Sequence, residues 1–169
     1  MRRALDRLYD AAAALAAVFL IGVLAMVVTG VAGRMFHFHV PGTDSYAGYC
    51  MAAAGFLALA HTLKRGEHIR VTLFLEHVGV KAQRGLELWA LGAATVLAAL
   101  FAFYSARLAF QSWQFNDIST GNDATPLWIP QLAMAAGTVV LFIALVDDFV
   151  LELQGARIPK APREALRNE

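Results

Sequence analysis

Four long apolar stretches, 11–33, 45–63, 86–108 and 127–146, alternate along the chain with short polar connections. About 20 helical residues, rising about 1.5 Å each, cross a hydrocarbon core of about 30 Å. Each stretch is therefore long enough for one membrane span. The pattern predicts an all-α membrane protein with four transmembrane helices, a single domain over 1–153 and a charged cytoplasmic tail over 154–169. Between the second and third stretches the pattern changes. Val71, Phe74, Leu75, Val78, Ala82, Leu86 and Trp89 recur at helical spacing, with Thr72, Glu76, His77, Lys81 and Arg84 on the opposite side. This predicts an amphipathic interfacial helix over about 71–85, feeding into the third span.

Composition agrees with the spans: 59% of the residues are hydrophobic and only 16% charged, with a mean hydropathy of +0.55. Little of the chain is left for a soluble catalytic domain. The first stretch exceeds the apolar core of about 7–15 residues typical of a cleaved signal peptide, so it reads as a retained anchor. The single cysteine, Cys50, falls inside the second span, where it reads as a small buried apolar residue.

The basic residues add an orientation. Arg2, Arg3 and Arg7 precede the first span. Lys64, Arg65, Arg70, Lys81 and Arg84 lie between the second and third. Arg157, Lys160, Arg163 and Arg167 follow the fourth. Only Arg34 and Arg107 lie towards the other side. Short loops rich in Lys and Arg stay in the cytoplasm, which predicts cytoplasmic termini, two outer loops and a bacterial-type inner membrane. The net charge of +1 hides this asymmetry and makes no case for nucleic acid as a partner, since the basic residues are spread along one membrane face.

The outer connections are short. In 34–44, Pro41-Gly42 signals a turn, and Thr43, Asp44 or Ser45 can cap the following helix. The second, 111–126, is rich in Asn, Asp, Ser, Thr and Gly and predicts an irregular loop. Pro126 and Pro130 flank the start of the fourth span, where proline is tolerated. Tyr104, Trp113 and Trp128 fall near the same boundary, as an aromatic belt requires. Small residues such as Gly48/Ala52, Ala54/Ala58 and Ala13/Ala17 recur four apart, a spacing that lets helix backbones approach closely.

A search for chemistry finds few candidates. Ionisable residues within a span usually mark a transport pathway, yet the centres of all four spans lack Asp, Glu, Lys and Arg. Asp147-Asp148 stands at the inner end of the fourth span. It reads as a solvated helix end, with pairing to a cytoplasmic Arg or Lys as the alternative. A bis-histidine haem needs two imidazoles at matched depth, and only His61 lies within a span. Neither a metal triad nor a nucleophile–base pair is evident, so no metal, no cofactor and no enzymatic activity are expected.

The motifs carry a family resemblance. Gly66-Glu67-His68-Ile69-Arg70-Val71 follows the second span, and Val40-Pro41-Gly42-Thr43-Asp44 precedes it. Pro126-Leu127-Trp128-Ile129-Pro130-Gln131-Leu132 opens the fourth, and Arg34 ends the first. In this order, over about residues 8–153, they resemble the small membrane subunit of tripartite ATP-independent periplasmic (TRAP) transporters. Gly66, His68, Arg70, Trp128 and Pro130 are the signature positions. Asp44 and Tyr46 stand where many members carry Trp and Glu, and Thr72 where many carry Asp.

The resemblance implies a non-catalytic scaffold subunit of a sodium-coupled importer of organic acids. Its partners would be a larger membrane subunit that carries the sodium and substrate sites, a periplasmic substrate-binding protein, and membrane lipids. No substrate-binding residue is expected in this chain. Arg34, His37, His39, Asp44, Asp117 and Asp123, from the two outer loops, are the candidates for docking the binding protein. Two other functions fit four apolar spans: a small transporter working alone as a homo-oligomer, and a haem-bearing anchor of a redox complex.

Overall fold

The computed structural model describes residues 2–38, 40–65 and 80–155. Four helices make up the fold: α1 (Arg2–Met35), α2 (Thr43–Arg65), α3 (Val80–Gln114) and α4 (Trp128–Leu153). All four are long and apolar enough to cross a membrane. At about 1.5 Å per residue, the 23 residues of α2 span about 35 Å. The 35 residues of α3 reach about 52 Å, well beyond a hydrocarbon core of about 30 Å. Residues 66–79 lie outside the described residues, and with them most of the expected interfacial helix over 71–85. Its last positions, 80–85, form the start of α3, which continues without a break into the third span.

Neighbouring helices follow the order α1, α2, α4, α3. The main contacts join α1 to α2, α2 to α4 and α4 to α3, while α1 and α4 touch only slightly. Phe56 on α2 also meets Phe101 on α3 edge to face, with ring centroids 5.9 Å apart. The two central helices carry more of the buried surface than the flanking pair. Small residues make this possible. A β-carbon on Gly137 of α4 would lie 2.5 Å from the carbonyl carbon of Phe56, so the α2 and α4 backbones nearly touch there. Ala60 on α2 and Ala144 on α4 are fully buried, and both pack with Tyr9 of α1. On α3, Leu91, Ala98, Ala102, Ser105, Ala109 and Ser112 form a buried stripe at helical spacing. Lipid tails are as apolar as leucine, so packing of this kind supplies the main attraction between spans.

Several threonine hydroxyls within the spans are satisfied locally, whereas the buried Ser105 Oγ has no hydrogen-bond partner among the described residues. The hydroxyl of Thr138, fully buried, donates to the carbonyls of Met134 and Ala135 at 3.0 and 2.9 Å. Thr95 donates to Leu91 O at 2.7 Å and Thr29 to Ala25 O, also at 2.7 Å. Each of these threonine hydroxyls thus returns to its own helix, which avoids an unpaired donor in hydrocarbon.

The small residues are not equivalent. Gly48, Ala52 and Gly55 face outward from α2, and a β-carbon on Gly48 or Gly55 would meet nothing within 4 Å. Gly137→Val should therefore lower stability by about 1–3 kcal/mol through overpacking against backbone that cannot yield. Gly48→Ala should stay within about 0.5 kcal/mol. Thermal unfolding of the two variants in nanodiscs checks this contrast. Equal shifts would show that the α2–α4 crossing is not the tight point of the fold.

Candidate functional site

The polar side chains gather at the two ends of the helix array. One end holds the N-terminus of α1, the C-terminus of α2, the start of α3 and the C-terminus of α4. There Lys64 Nζ donates to Asp148 Oδ1 at 2.7 Å and also to Asp147 Oδ2. The ammonium sits 5.5 Å from the centroid of the buried Tyr9 ring. His61 Nδ1 lies 3.6 Å from Asp10 Oδ1, and Arg84 donates to the carbonyl of Leu153 at 3.3 Å. One lysine thus ties α2 to α4 while its charge rests on a ring of α1. Of the two readings of Asp147-Asp148, the structure shows the pairing with a basic residue rather than the solvated helix end, because Lys64 reaches it across the array and Asp148 is buried. The sequence separation of more than 80 residues hides this pairing.

The opposite end holds the two connecting loops. α1 ends with His37 in the left-handed region, φ 57°, and the N–H of Phe38 donates to Gly33 O at 3.0 Å. α3 ends in the same way: Asn116 has φ 52°, and the N–H of Asp117 donates to Ser112 O at 3.0 Å. Both are Schellman-type stops, which satisfy helix carbonyls that would otherwise be orphaned. Gly42, with φ 78°, makes the turn into α2, and the buried Thr43 packs where Gly30 leaves room. Gly is suited to this turn because a left-handed residue without a β-carbon meets no steric penalty.

The second loop is more ordered than its composition suggests. Residues 117–127 fold back as a small hairpin, with Ser119 N–H donating to Thr125 O and Leu127 N–H to Asp117 O, each at 2.9 Å. Ile118 and Pro126 form the bridge. Asp123 anchors this hairpin to α2. Its carboxylate accepts from Tyr49 Oη and from Ser119 Oγ, each at 2.9 Å, and from the Thr125 side chain. Thr125 Oγ1 also pairs with Tyr46 Oη at 3.3 Å, and Tyr46 and Tyr49 stack edge to face. Asp123 abuts Gly42 so closely that a β-carbon there would lie 2.7 Å from its Cβ. The two loops therefore meet at Gly42 and Asp123. Desolvation disfavours the charged carboxyl. The hydrogen bonds from Thr125, Tyr49 and Ser119, with its own backbone, outweigh that effect and hold it well below the usual carboxylate range.

The docking candidates are thus distributed unevenly. Arg34, His37 and Asp44 line one cleft of about 390 Å³ between the end of α1 and the start of α2. The Arg34 side chain is exposed and donates from Nε to Gly30 O at 3.3 Å. Asp117 is exposed on the hairpin, while Asp123 points inward to its hydroxyl partners. Among the signature positions, Trp128 is the first residue of α4 and Pro130 lies in its first turn. Ile129 N–H donates to Pro126 O at 3.2 Å there. His39, Gly66, His68 and Arg70 lie outside the described residues. The Asp123–Tyr49 link was not read from the sequence, although a Tyr on a span boundary facing a polar loop is the kind of pair that could form it.

Residues 23–155 match the model of the family described as tripartite ATP-independent periplasmic transporters, DctQ component. The chain belongs to this family. The match runs from within α1 to the end of α4, so it covers the later part of α1 and all of α2, α3 and α4 with the loop end. As a DctQ component, the chain is the small membrane subunit of a TRAP transporter and is non-catalytic. Its four apolar helices fit a multi-pass protein of the inner membrane. The family context implies association with a large membrane subunit and a binding protein. No significant match is found among curated proteins.

Two tests address the ends. Lys64→Met should cost about 2 kcal/mol, the usual worth of charge-assisted hydrogen bonds lost from partly buried partners. Adding Asp147→Asn and Asp148→Asn should recover part of that loss by removing the repulsion between two adjacent carboxylates that the Lys64 ammonium no longer bridges. Thermal unfolding in nanodiscs reads both. For Asp123, a depressed folded pKa contributes stability above the ordinary carboxylate value of about 3.9, lost only as pH falls through the lower folded value. Amide-exchange protection of Ser119 and Leu127, corrected for intrinsic rate, should therefore stay level from about pH 7 to 4. Asp123→Asn should lower it throughout that range.

Proposed function

We propose that this DctQ component is the fixed scaffold of a sodium-coupled importer of organic acids, held beside a large subunit that carries the transport sites. The observation that carries the reading is the segregation of polar groups. Networks stand at both ends, around Lys64 and around Asp123, while the intervening helices pack through alanine and glycine. Such a middle gives a stable wall rather than an ion path, because a path usually needs intramembrane ionisable groups or broken helices. In this reading both termini and the interfacial helix over 71–85 are cytoplasmic, in accord with the distribution of Lys and Arg. The loop end faces the periplasm and docks the loaded binding protein through Arg34, His37, His39, Asp44 and Asp117, while Asp123, turned inward to Tyr49 and Ser119, holds the hairpin that carries Asp117. Charges at the rim of such a contact act mainly on association rate and partner choice.

Reconstitution tests the reading. The chain alone in proteoliposomes should take up no organic acid under a sodium gradient. Uptake should appear when the large subunit and the loaded binding protein are added. In a Cys50→Ser background, cysteines at His39 and Asn122 should react with impermeant reagent from the periplasm. Cysteines at Gln83 and Lys160 should react only after the membrane is opened. Sodium-driven uptake by the isolated chain would favour a self-sufficient homo-oligomer, and periplasmic labelling at Gln83 would reverse the orientation.

A further inference from the structure

The cleft of about 390 Å³ between the end of α1 and the start of α2 contains a hydroxyl unlike the others in the spans. Thr43 lines this cleft and is only 9% exposed. Thr29, Thr95 and Thr138 each return their hydroxyl to a carbonyl four residues back. Thr43 opens α2 and has no helical carbonyl behind it. Its Oγ1 has no hydrogen-bond partner among the described residues, and a hydroxyl this buried costs free energy until water or a ligand meets it. It is turned towards Gly30. A β-carbon on Gly30 would lie 3.2 Å from Thr43 Oγ1 and 3.9 Å from Arg34 Nη2, so hydroxyl and guanidinium converge over one glycine. Arg34 spends its Nε on Gly30 O, and its guanidinium forms no ion pair among the described residues. The start of α2 adds further donors. Tyr46 N–H bonds Gly42 O at 3.0 Å, and no side chain among the described residues caps the N–H groups of Thr43, Asp44 and Ser45. Such groups favour an anion.

Two more features narrow the ligand. The exposed Asp44 lines the same cleft, so the site offers an acid beside its donors. Beneath Arg34, the exposed Val31, Val27, Leu24 and Leu20 follow one another on α1 at helical spacing. This apolar track runs about 21 Å towards the middle of the span, at about 1.5 Å per residue. We propose that the cleft binds the headgroup of a zwitterionic aminophospholipid from the leaflet at the loop end. Arg34, Thr43 Oγ1 and the first N–H groups of α2 take the phosphate, Asp44 meets the ammonium, and an acyl chain follows the track along α1. A free anion or an acidic side chain of a protein would fill the first position and leave Asp44 and the track without a counterpart. A lipid supplies all three in one molecule and is the solvent of the span. A headgroup held there becomes part of the loop-end surface whether or not a binding protein docks on it.

The test titrates the full-length chain in detergent with dioleoyl phosphatidylethanolamine or dioleoyl phosphatidylglycerol and reads bound lipid by native mass spectrometry. Wild type should bind the ethanolamine lipid about threefold more tightly, the scale of an exposed charge pair. Arg34→Gln should raise the half-saturating concentration of both lipids about tenfold, through loss of a charge-assisted contact. Thr43→Val should raise both about threefold by removing one hydrogen bond, while Thr43→Ser, which keeps the hydroxyl, should bind as wild type does. Asp44→Asn should abolish the preference between the lipids. Arg107→Gln removes an exposed arginine of α3 and should change neither affinity. Inorganic phosphate in large excess should not displace the ethanolamine lipid.

Equal losses in Arg34→Gln and Arg107→Gln would make binding a general effect of charge and overturn the site. Lipid retention untouched by Arg34→Gln and Thr43→Val, in variants that unfold at the wild-type temperature, would also overturn it and leave the cleft to a protein. A loss in Thr43→Ser as large as in Thr43→Val would assign the effect to packing and remove the hydroxyl contact. Displacement by inorganic phosphate would reduce the site to one for a free anion. Equal wild-type affinity for the two lipids would overturn the role of Asp44 and the choice of an amino headgroup.

Discussion

The closeness of α2 and α4 is the constraint on which the other helices depend. Gly137 lets the α4 backbone approach Phe56, and Ala60 and Ala144 continue the close contact towards the Lys64 end. In hydrocarbon no hydrophobic effect pushes spans together, so contact must come from van der Waals packing and a few polar links. Once α2 and α4 are joined, each offers a remaining face. α1 takes that of α2, where Gly22 admits Cys50 and Gly30 admits Thr43. α3 takes that of α4, where Leu91, Ala98 and Leu145 cluster with Phe142 and Phe149. A larger residue at Gly137 would disturb the order of all four helices, whereas one at Gly48 meets open space.

The polar ends complete what packing begins. Small-residue contacts hold helices close but leave them able to slide, because neighbouring alanines are nearly interchangeable along a helix. Specific hydrogen bonds remove that freedom. Lys64 registers α2 against α4 at one end, and Asp123 registers the α3–α4 hairpin against α2 at the other. Both lie where water or headgroups can meet unsatisfied valences, so the desolvation cost is smaller than at the bilayer centre.

The number of spans and their apolar ranges were legible because membrane thickness sets a length that hydrophobic runs must match. The signature segments were also legible, since Gly66-Glu67-His68 and Pro126-Leu127-Trp128 are local strings. Less could be read where the answer depends on distant neighbours. Nothing near Asp147-Asp148 in the chain shows that Lys64 will fold onto it. Gly48/Ala52 and Ala54/Ala58 have the same spacing, yet the first pair faces outward and Ala54 is buried. The choice between them is made by which face of α2 packs against α1 and α4. At the loop end, Asp123 and Asp117 look alike as sequence, and only the hairpin fold turns one towards Tyr49 and leaves the other in solvent.

This division bears on the scaffold role proposed above. In that reading, a wall that must stay still needs stiffness without needing chemistry of its own. Tight backbone contact supplies stiffness at low cost, because alanine and glycine lose no side-chain rotamer freedom when buried. Polar networks confined to the ends then fix register without placing ions in the path of the membrane. The exposed apolar surfaces that remain, on α1, on the outward face of α2 and on α3, are too extensive for a protein in water and ordinary for one in lipid. A larger membrane subunit could therefore be accommodated along any of these faces without disturbing the contacts that hold the four helices together, and the two polar ends would keep their own geometry.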